Sequence, residues 1–326
     1  MNWSRNRKGA LSKIPIKQKV YHALLEKVKD KSYPVVHKYL LDSFTESEIE
    51  TTLKIKNKLE KLVRLEWLYF FNERQKKIQA FANAFEECRI IGGYEFKNHY
   101  RCITPKYQNK PLSSLGSTLV VRGGRFNIGK LDGFSSFPGY YIANNELTAQ
   151  CEMRQRDVRR KIKYSDSAFA LQSDTNPSYN VARVHGYIDR VVDLNSKSTL
   201  KKILKILKKI EPSEEVNRLA ISIGLTPRGT VSTLGQLSAQ LFDVNPSYYP
   251  SNFGLPHNSQ DIGRLAKDTG IQALIYNSKF GVGRCVVVFP ENFKDCDKSY
   301  IQLTDEYPDD VVTKMNSRNY ESTYKP

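Results

Sequence analysis

No segment of this 326-residue chain holds the ~20 consecutive apolar residues that a bilayer span needs, so no membrane-crossing helix is expected. The N-terminus, MNWSRNRKGALSKIPIKQKV, is basic but lacks an apolar core and a small-residue cleavage site, and is not read as a secretory signal. Cysteine is scarce. The five residues Cys88, Cys102, Cys151, Cys285 and Cys296 include no CxxC pair, and an odd, scattered set makes no disulfide framework. Thiols used this way fit a reducing compartment, and a cytoplasmic location is expected. The five histidines, His22, His37, His99, His185 and His257, form no HExxH and no His/Cys cluster, so no metal is expected. No helix–turn–helix, zinc-finger or RNP-like pattern is visible. Acidic residues are in deficit: 34 Asp+Glu against 51 Lys+Arg leave a net charge of +17. Such a charge favours association with nucleic acid, anionic surfaces or phosphate-rich ligands. The excess is spread along the chain, with 19 Lys+Arg against 12 Asp+Glu in residues 1–95, so there is no single basic tail.

What is present divides at Gly92-Gly93. Residues 1–95 read as helical: short periodic stretches at 17–29 and 33–41, then Thr45-Glu46-Ser47-Glu48 in the form of a capping box, followed by Ile49, Leu53, Leu59, Leu62 and Val63 at helical spacing. No Gly or Pro interrupts the run until the glycine pair, which is taken as the domain boundary. The expected organisation is a helical interaction module over 1–95 and a second domain over 96–326. In the second part, extended segments (STLVV, GYYIA, VARVHGYIDRVVDL, QALIY, CVVVF) mix with amphipathic helices near 200–207 and 258–269, without regular βαβ alternation. The fold class is therefore α+β: a mixed β core with flanking helices, preceded by an all-helical N-terminal region.

Four pieces carry candidate chemistry. Tyr100-Arg101 ends an extended segment. In Arg122-Gly123-Gly124-Arg125-Phe126-Asn127 the glycines permit a tight bend and close approach of a ligand, and Arg125 offers donors suited to a pyrophosphate. Tyr141-Ile142-Ala143 would present an aromatic at a strand end, with Asn144 or Asn145 capping the next helix. On that helix Ala149 and Glu152, three apart, share a face. Tyr276-Asn277-Ser278 precedes the last apolar strand. Taken singly, each has an ordinary reading: a turn, a cross-strand tyrosine, a solvated glutamate.

In order, they resemble the RES family, whose pattern runs from a "YR" strand through "GGRWN", a "Y-x-A" strand, an "A-x-x-E" helix and a "DL" segment to a late "G-x-x-Y-x-S" before a hydrophobic strand. Here these are YRCI, GGRFN, YIA, AQCE, DL at 193–194 and GIQALIYNS running into CVVVF, spanning residues 98–290. The resemblance implies an ADP-ribosyltransferase-like fold and an enzyme that uses NAD as substrate, breaking its nicotinamide–ribose bond as a glycohydrolase or phosphorylase. It implies that Arg101 and Arg125 hold the phosphates or ribose, with Gly124 and Asn127 part of the binding loop. Tyr141 would pack on the nicotinamide, Glu152 would stabilise charge on the ribose, and Ser278 would hydrogen-bond in the same pocket, orienting Glu152 or the ribose. It also implies a toxin with an antitoxin protein as partner.

The chain departs from the pattern in Phe126, where the family has Trp, in a longer 128–140 loop, and in the N-terminal region, which the resemblance does not cover. Two further readings stand beside the first. One is ADP-ribosyl transfer to a protein acceptor selected by the long loop. The other is a non-catalytic nucleic-acid-binding or scaffolding protein, which the basic charge favours. A homo-oligomer formed through residues 1–95 is compatible with each.

Overall fold

The structure, a computed structural model, describes residues 46–119, 123–154, 179–225, 231–243 and 254–325. The stretches 17–29 and 33–41, the Thr45–Glu48 capping box and Arg122 lie wholly or partly outside the described residues or side chains. The chain divides into two compact units, Met1–Phe70 with Pro212–Gly229 and Phe71–Glu211 with Thr230–Pro326.

In the first unit, the described chain is most of helix α1 (Glu46–Lys76) and helix α6 (Glu214–Ser222). Leu62 packs with Val216 and Ala220 into a small apolar cluster that Leu65, Tyr69 and Leu219 surround. Ser213 starts α6 by accepting a hydrogen bond from the Val216 amide, and acidic Glu214 and Glu215 sit where the helix dipole favours them.

The second unit is an α+β domain. Its strands are β1 (Tyr94–Ile103), β2 (Tyr140–Ala143), β3 (Asn180–Ile188), β4 (Val191–Asp193), β5 (Ala273–Asn277), β6 (Arg284–Val288), β7 (Tyr300–Leu303) and β8 (Lys314–Asn316). They form one sheet in the order β4-β5-β6-β2-β1-β3-β7-β8. Every pairing is antiparallel except β4 with β5. Helices α2 (Ile78–Glu87), α3 (Leu115–Leu119), α4 (Glu146–Arg154), α5 (Lys197–Leu207), α7 (Leu234–Ser238) and α8 (Asn258–Asp268) complete the described elements.

Period-two alternation decides which residues meet. Tyr140 pairs with Val288 and Val288 with Ala273; Ile142 pairs with Val286 and Val286 with Ile275. This face joins Phe96, Val184, Ile188, Ile301 and Met315 in the main core. The opposite face carries Tyr141, Ala143, Cys285 and Tyr276, and register with Ala143 places Tyr100 there too. One side of the sheet therefore packs into the main core, and the other, where Leu274 and Val287 are also buried, carries the site.

The expected strand at STLVV is corrected over its described part: Ser117–Leu119 belongs to α3, and Val120 and Val121 lie outside the described residues. Ser114 and Leu115 carbonyls accept the hydroxyls of Ser117 and Thr118, which satisfies the β-branched and small polar residues locally in a helical turn. The other four extended segments are strands. β7 and β8 were not read from the sequence, and both are four residues or shorter. The division expected at 95/96 falls inside the second unit. Phe81 and Phe85 of α2 are fully buried, and the Ile90 amide donates to the Val191 carbonyl, so the chain ahead of Gly92-Gly93 is packed into the same domain. The helix ends earlier, at Glu87, and the glycines, with φ of +81° and +75°, form the turn that leads into β1.

Within the second unit, α8 is held by a buried ion pair. Arg74 Nη1 lies 2.9 Å from Asp261 Oδ2, with side-chain exposures of 5% and 0%, and also donates to Asn258 Oδ1. Arg264 closes on Asp261 from the other side. Removing one member strands a buried charge. Asp261→Ala should lower unfolding free energy by about 3–5 kcal/mol in chemical denaturation. A loss under about 1 kcal/mol would show that the pair contributes little.

Candidate active site

The open side of the sheet holds a cleft of ≈ 280 Å³ lined in part by Tyr100, Gly124, Arg125, Tyr141, Glu152 and Phe280. Its floor is β1, β2, β5 and β6, and α4 forms a wall. Asn145 starts α4, its side-chain oxygen accepting from the Thr148 amide, which selects it over Asn144 as the capping residue. Asn144 Oδ1 instead receives the Arg284 amide of β6. From this start, Ala149 and Glu152 both face the cleft.

Glu152 is the one carboxylate among the lining residues. Its Oε1 accepts from the Ser278 hydroxyl at 2.5 Å and from the Lys279 amide at 3.1 Å. Ser278 Oγ in turn accepts from the Gly281 amide at 2.7 Å and the Phe280 amide at 3.2 Å. Every role of this hydroxyl is thereby assigned, and its proton is directed at the carboxylate. Ser278 does not line the cleft; it orients Glu152 and the turn that carries Phe280. That turn is tied to α4 by the Gly283 amide donating to Thr148 Oγ1. A Cβ on Gly283 would lie 2.6 Å from the same oxygen.

The GGRFN loop is built as a knot. Gly123 has φ +64°, so its conformation suits glycine. Asn127 is fully buried and outside the cleft lining. Its Oδ1 accepts from the Gly124 amide and from the Tyr141 hydroxyl, both at 2.9 Å. Its Nδ2 donates to the carbonyls of Ser117 and Phe137. The Tyr141 hydroxyl accepts from the Phe126 amide at 2.9 Å. The expectation that Asn127 touches ligand is thus replaced by a positioning role, since all its polar atoms are engaged within the protein. Gly124 lines the cleft, and a Cβ there would meet the Tyr141 hydroxyl at 2.5 Å. Its amide, being bonded to Asn127, is not directed at a ligand.

α8 holds this knot from behind. Gln260, fully buried, donates through Nε2 to the carbonyls of Gly124 (2.9 Å) and Asn127 (3.1 Å), while its Oε1 accepts the His257 amide at 2.7 Å. Gly263, one turn on, lets the helix press on the loop: a Cβ there would stand 1.9 Å from the Phe126 carbonyl oxygen. Neither residue was singled out in the sequence, and no local motif marks them.

The two arginines differ from expectation. Arg125 is buried, and its Nη1 donates to the carbonyls of Leu241 (3.3 Å) and Phe242 (2.9 Å) in the turn after α7. It lines the cleft while bracing that turn. Arg101 is among the residues lining the cleft, but it follows Tyr100, so alternation turns its side chain toward the core face. There its guanidinium lies 4.1 Å from the ring centre of Tyr140 and Nη2 donates to the Ser113 carbonyl at 2.6 Å. Burial lowers its pKa from the ordinary arginine value. The residue of that pair whose alternation faces the open side is Tyr100.

Four further titratable groups of the cleft are held neutral. Burial raises the pKa values of Tyr141, Tyr276 and Cys285, with the Glu152 charge adding to each. Cys102 is pushed up to about 12, chiefly by burial. Neither lining thiol is a thiolate nucleophile near neutral pH. The cleft combines aromatic walls, an oriented carboxylate and a buried guanidinium, an arrangement suited to a flat cationic ring joined to a sugar.

No protein-family model matches the chain, and no curated protein matches it. Among solved structures it is similar to the crystal structure of the M. tuberculosis MbcT–MbcA toxin–antitoxin complex, at 14% identity over 75% of this chain and 97% of that chain, with a TM-score of 0.35. A likeness at that level carries no argument about activity.

Two outcomes follow from the loop's seat on α8. Gly263→Ala should destabilise the protein by at least the ~1–3 kcal/mol typical of overpacking and alter the near-UV signal of the aromatic cluster, because backbone and not a flexible side chain stands in the way. An unchanged melting temperature would contradict the contact. His257, the start of α8, is pushed down to about 4 by burial, with Arg125 and Arg74 adding to the effect. It is neutral in the fold, whereas the unfolded chain takes up a proton near pH 6.5. Its contribution is therefore present above about 6.5 and is lost as pH falls toward about 4. Urea denaturation across that window should show the wild type losing more stability than His257→Asn, which keeps a capping acceptor. Parallel curves would refute this.

Proposed function

We propose that the protein cleaves the nicotinamide–ribose bond of NAD, with Glu152 as the catalytic carboxylate, as the RES-like order of motifs implies. The observation that carries the reading is the Ser278–Glu152 bond: a cleft carboxylate with one oxygen fixed by a hydroxyl and an amide. Oε2 is the oxygen left to meet the ribose. The nicotinamide would enter between the aromatic walls that include Tyr141 and Phe280. As the C1′–N bond breaks, its electron pair goes to the nicotinamide nitrogen and neutralises the ring. The ribose carbon becomes oxocarbenium-like, and Glu152 stabilises that charge. Water then adds at C1′ and releases a proton, giving ADP-ribose; phosphate adding instead gives the 1″-phosphate.

No general acid is needed, because the leaving group is already cationic. This agrees with neutral Cys102, Tyr141 and Tyr276 around the bond. With the Arg101 guanidinium held against Tyr140 and the Ser113 carbonyl, phosphate contacts fall to Arg125 and to groups at the mouth of the cleft. The volume of ≈ 280 Å³ accommodates one end of a dinucleotide and leaves the rest outside. In this reading the protein is a toxin acting in the cytoplasm, restrained by an antitoxin that covers the cleft.

Purified protein incubated with NAD should release nicotinamide, measured by chromatography with and without phosphate. Glu152→Gln should reduce the rate about 10²–10³-fold, the usual loss for one charge-stabilising group, while keeping the fold. Glu152-dependent release together with ADP-ribose on added protein would assign transfer. No release under any of these conditions would overturn the reading.

A further inference from the structure

Helix α5 carries a feature that the cleft does not use. Leu200, Ile203, Leu204, Ile206 and Leu207 are buried, and Ser196 caps its start. Apart from Ser198, the exposed surface is lysine: Lys197, Lys201 and Lys205 on the helix and Lys208 and Lys209 at its end. At 3.6 residues per turn, Lys197, Lys208, Lys201 and Lys205 fall within an arc of about 80° and extend over about 16 Å. The helix contains no Asp or Glu. Lys202, on the flank, pairs with Glu87. Among the described residues, none of the other five lysines forms an ion pair, whereas on α1 Lys54 and Lys56 are matched by Glu50 and Glu60.

Helix stability does not account for the pattern. A cation is favoured at a helix C-terminus, which covers Lys208 and Lys209, but Lys197 occupies the first turn, where the dipole opposes it. Lysines one turn apart also repel one another. Among the described residues, only Glu87, paired with Lys202 and felt by Lys205, offsets this row, which therefore suits an equally repetitive negative surface.

We propose that the lysine arc of α5 binds the phosphate backbone of a nucleic-acid duplex. The arc bears only point charges, which suits phosphates read without regard to sequence. An acidic protein is the poorer fit, since protein interfaces are centred on aromatic, Met and Arg side chains and are depleted in Lys. Insertion into a membrane is also disfavoured, because the apolar arc of the helix is spent on the core. The proposal stands whether or not the cleft turns over NAD.

The test is fluorescence anisotropy of a labelled 20-base-pair duplex titrated with the full chain at several salt concentrations. The quadruple variant Lys197→Gln, Lys201→Gln, Lys205→Gln, Lys208→Gln is compared with Lys54→Gln, Lys56→Gln, Lys58→Gln, Lys61→Gln, which removes the same charge from exposed positions of α1. Both should keep the wild-type circular dichroism spectrum and melting temperature. The α5 variant should lose about 3–4 from the slope of log K against log salt, at about 0.9 per phosphate contact, while the α1 variant changes it by less than about 1. Absence of wild-type binding at about 50 mM salt, or equal losses in the two variants, would overturn the proposal. Competition by poly-glutamate as effective, per charge, as the duplex would assign the surface to an acidic protein instead and overturn it too.

Discussion

The Gly123–Asn127 loop has its shape because two buried amide side chains close it from opposite sides. Asn127 draws in the Gly124 amide and the Tyr141 hydroxyl. Gln260, on α8, draws in the carbonyls of Gly124 and Asn127. A buried carbonyl or amide left unpaired costs about 1–3 kcal/mol, so the two side chains together specify one conformation of the loop rather than merely permit it. The rest of the site inherits that conformation. Tyr141 is fixed through its hydroxyl, Arg125 is aimed at the 241–242 carbonyls, and α8 itself is anchored in turn by the Arg74–Asp261 pair.

The cleft gains its character from what this packing withholds. Its backbone amide at Gly124 and its asparagine are consumed internally, and one of its arginines faces the core. What stays available is an aromatic enclosure, a single carboxylate and the mouth of the pocket. Neutral tyrosines and thiols surround Glu152, whose one negative charge is oriented by Ser278 and shares the cleft with the Arg125 guanidinium. In the proposed reading, that arrangement stabilises a cation without proton transfer.

The sheet shows how much alternation alone conveys. Once β2, β5 and β6 are recognised, the period of two assigns Ile142, Val286 and Ile275 to one face and Tyr141, Cys285 and Tyr276 to the other. The same rule, applied to Tyr100-Arg101, assigns the tyrosine to the open side and turns the arginine inward onto Tyr140. Reading the dipeptide as a motif obscured this, because a motif names residues without their direction. Phe280 escaped notice for another reason: nothing local distinguishes an aromatic in a Gly-rich turn, and it enters the cleft only because Ser278 and Thr148 hold the turn against α4.

The amino-acid sequence by itself determined the α+β class, four of the five extended segments singled out in it, and the amphipathic helices α5 and α8, all of which depend on periodicity. That Gly124, Arg125, Tyr141 and Glu152 belong to one site came from the RES-like order of motifs, and the four do line one cleft. Only the tertiary structure decided that Asn127 and Ser278 position rather than line, that Arg101 faces the core, and that Gln260 and Gly263 support the loop from more than 130 residues away in the chain. Those outcomes follow from long-range hydrogen bonds and from the space available to a single Cβ, and neither leaves a trace in local sequence.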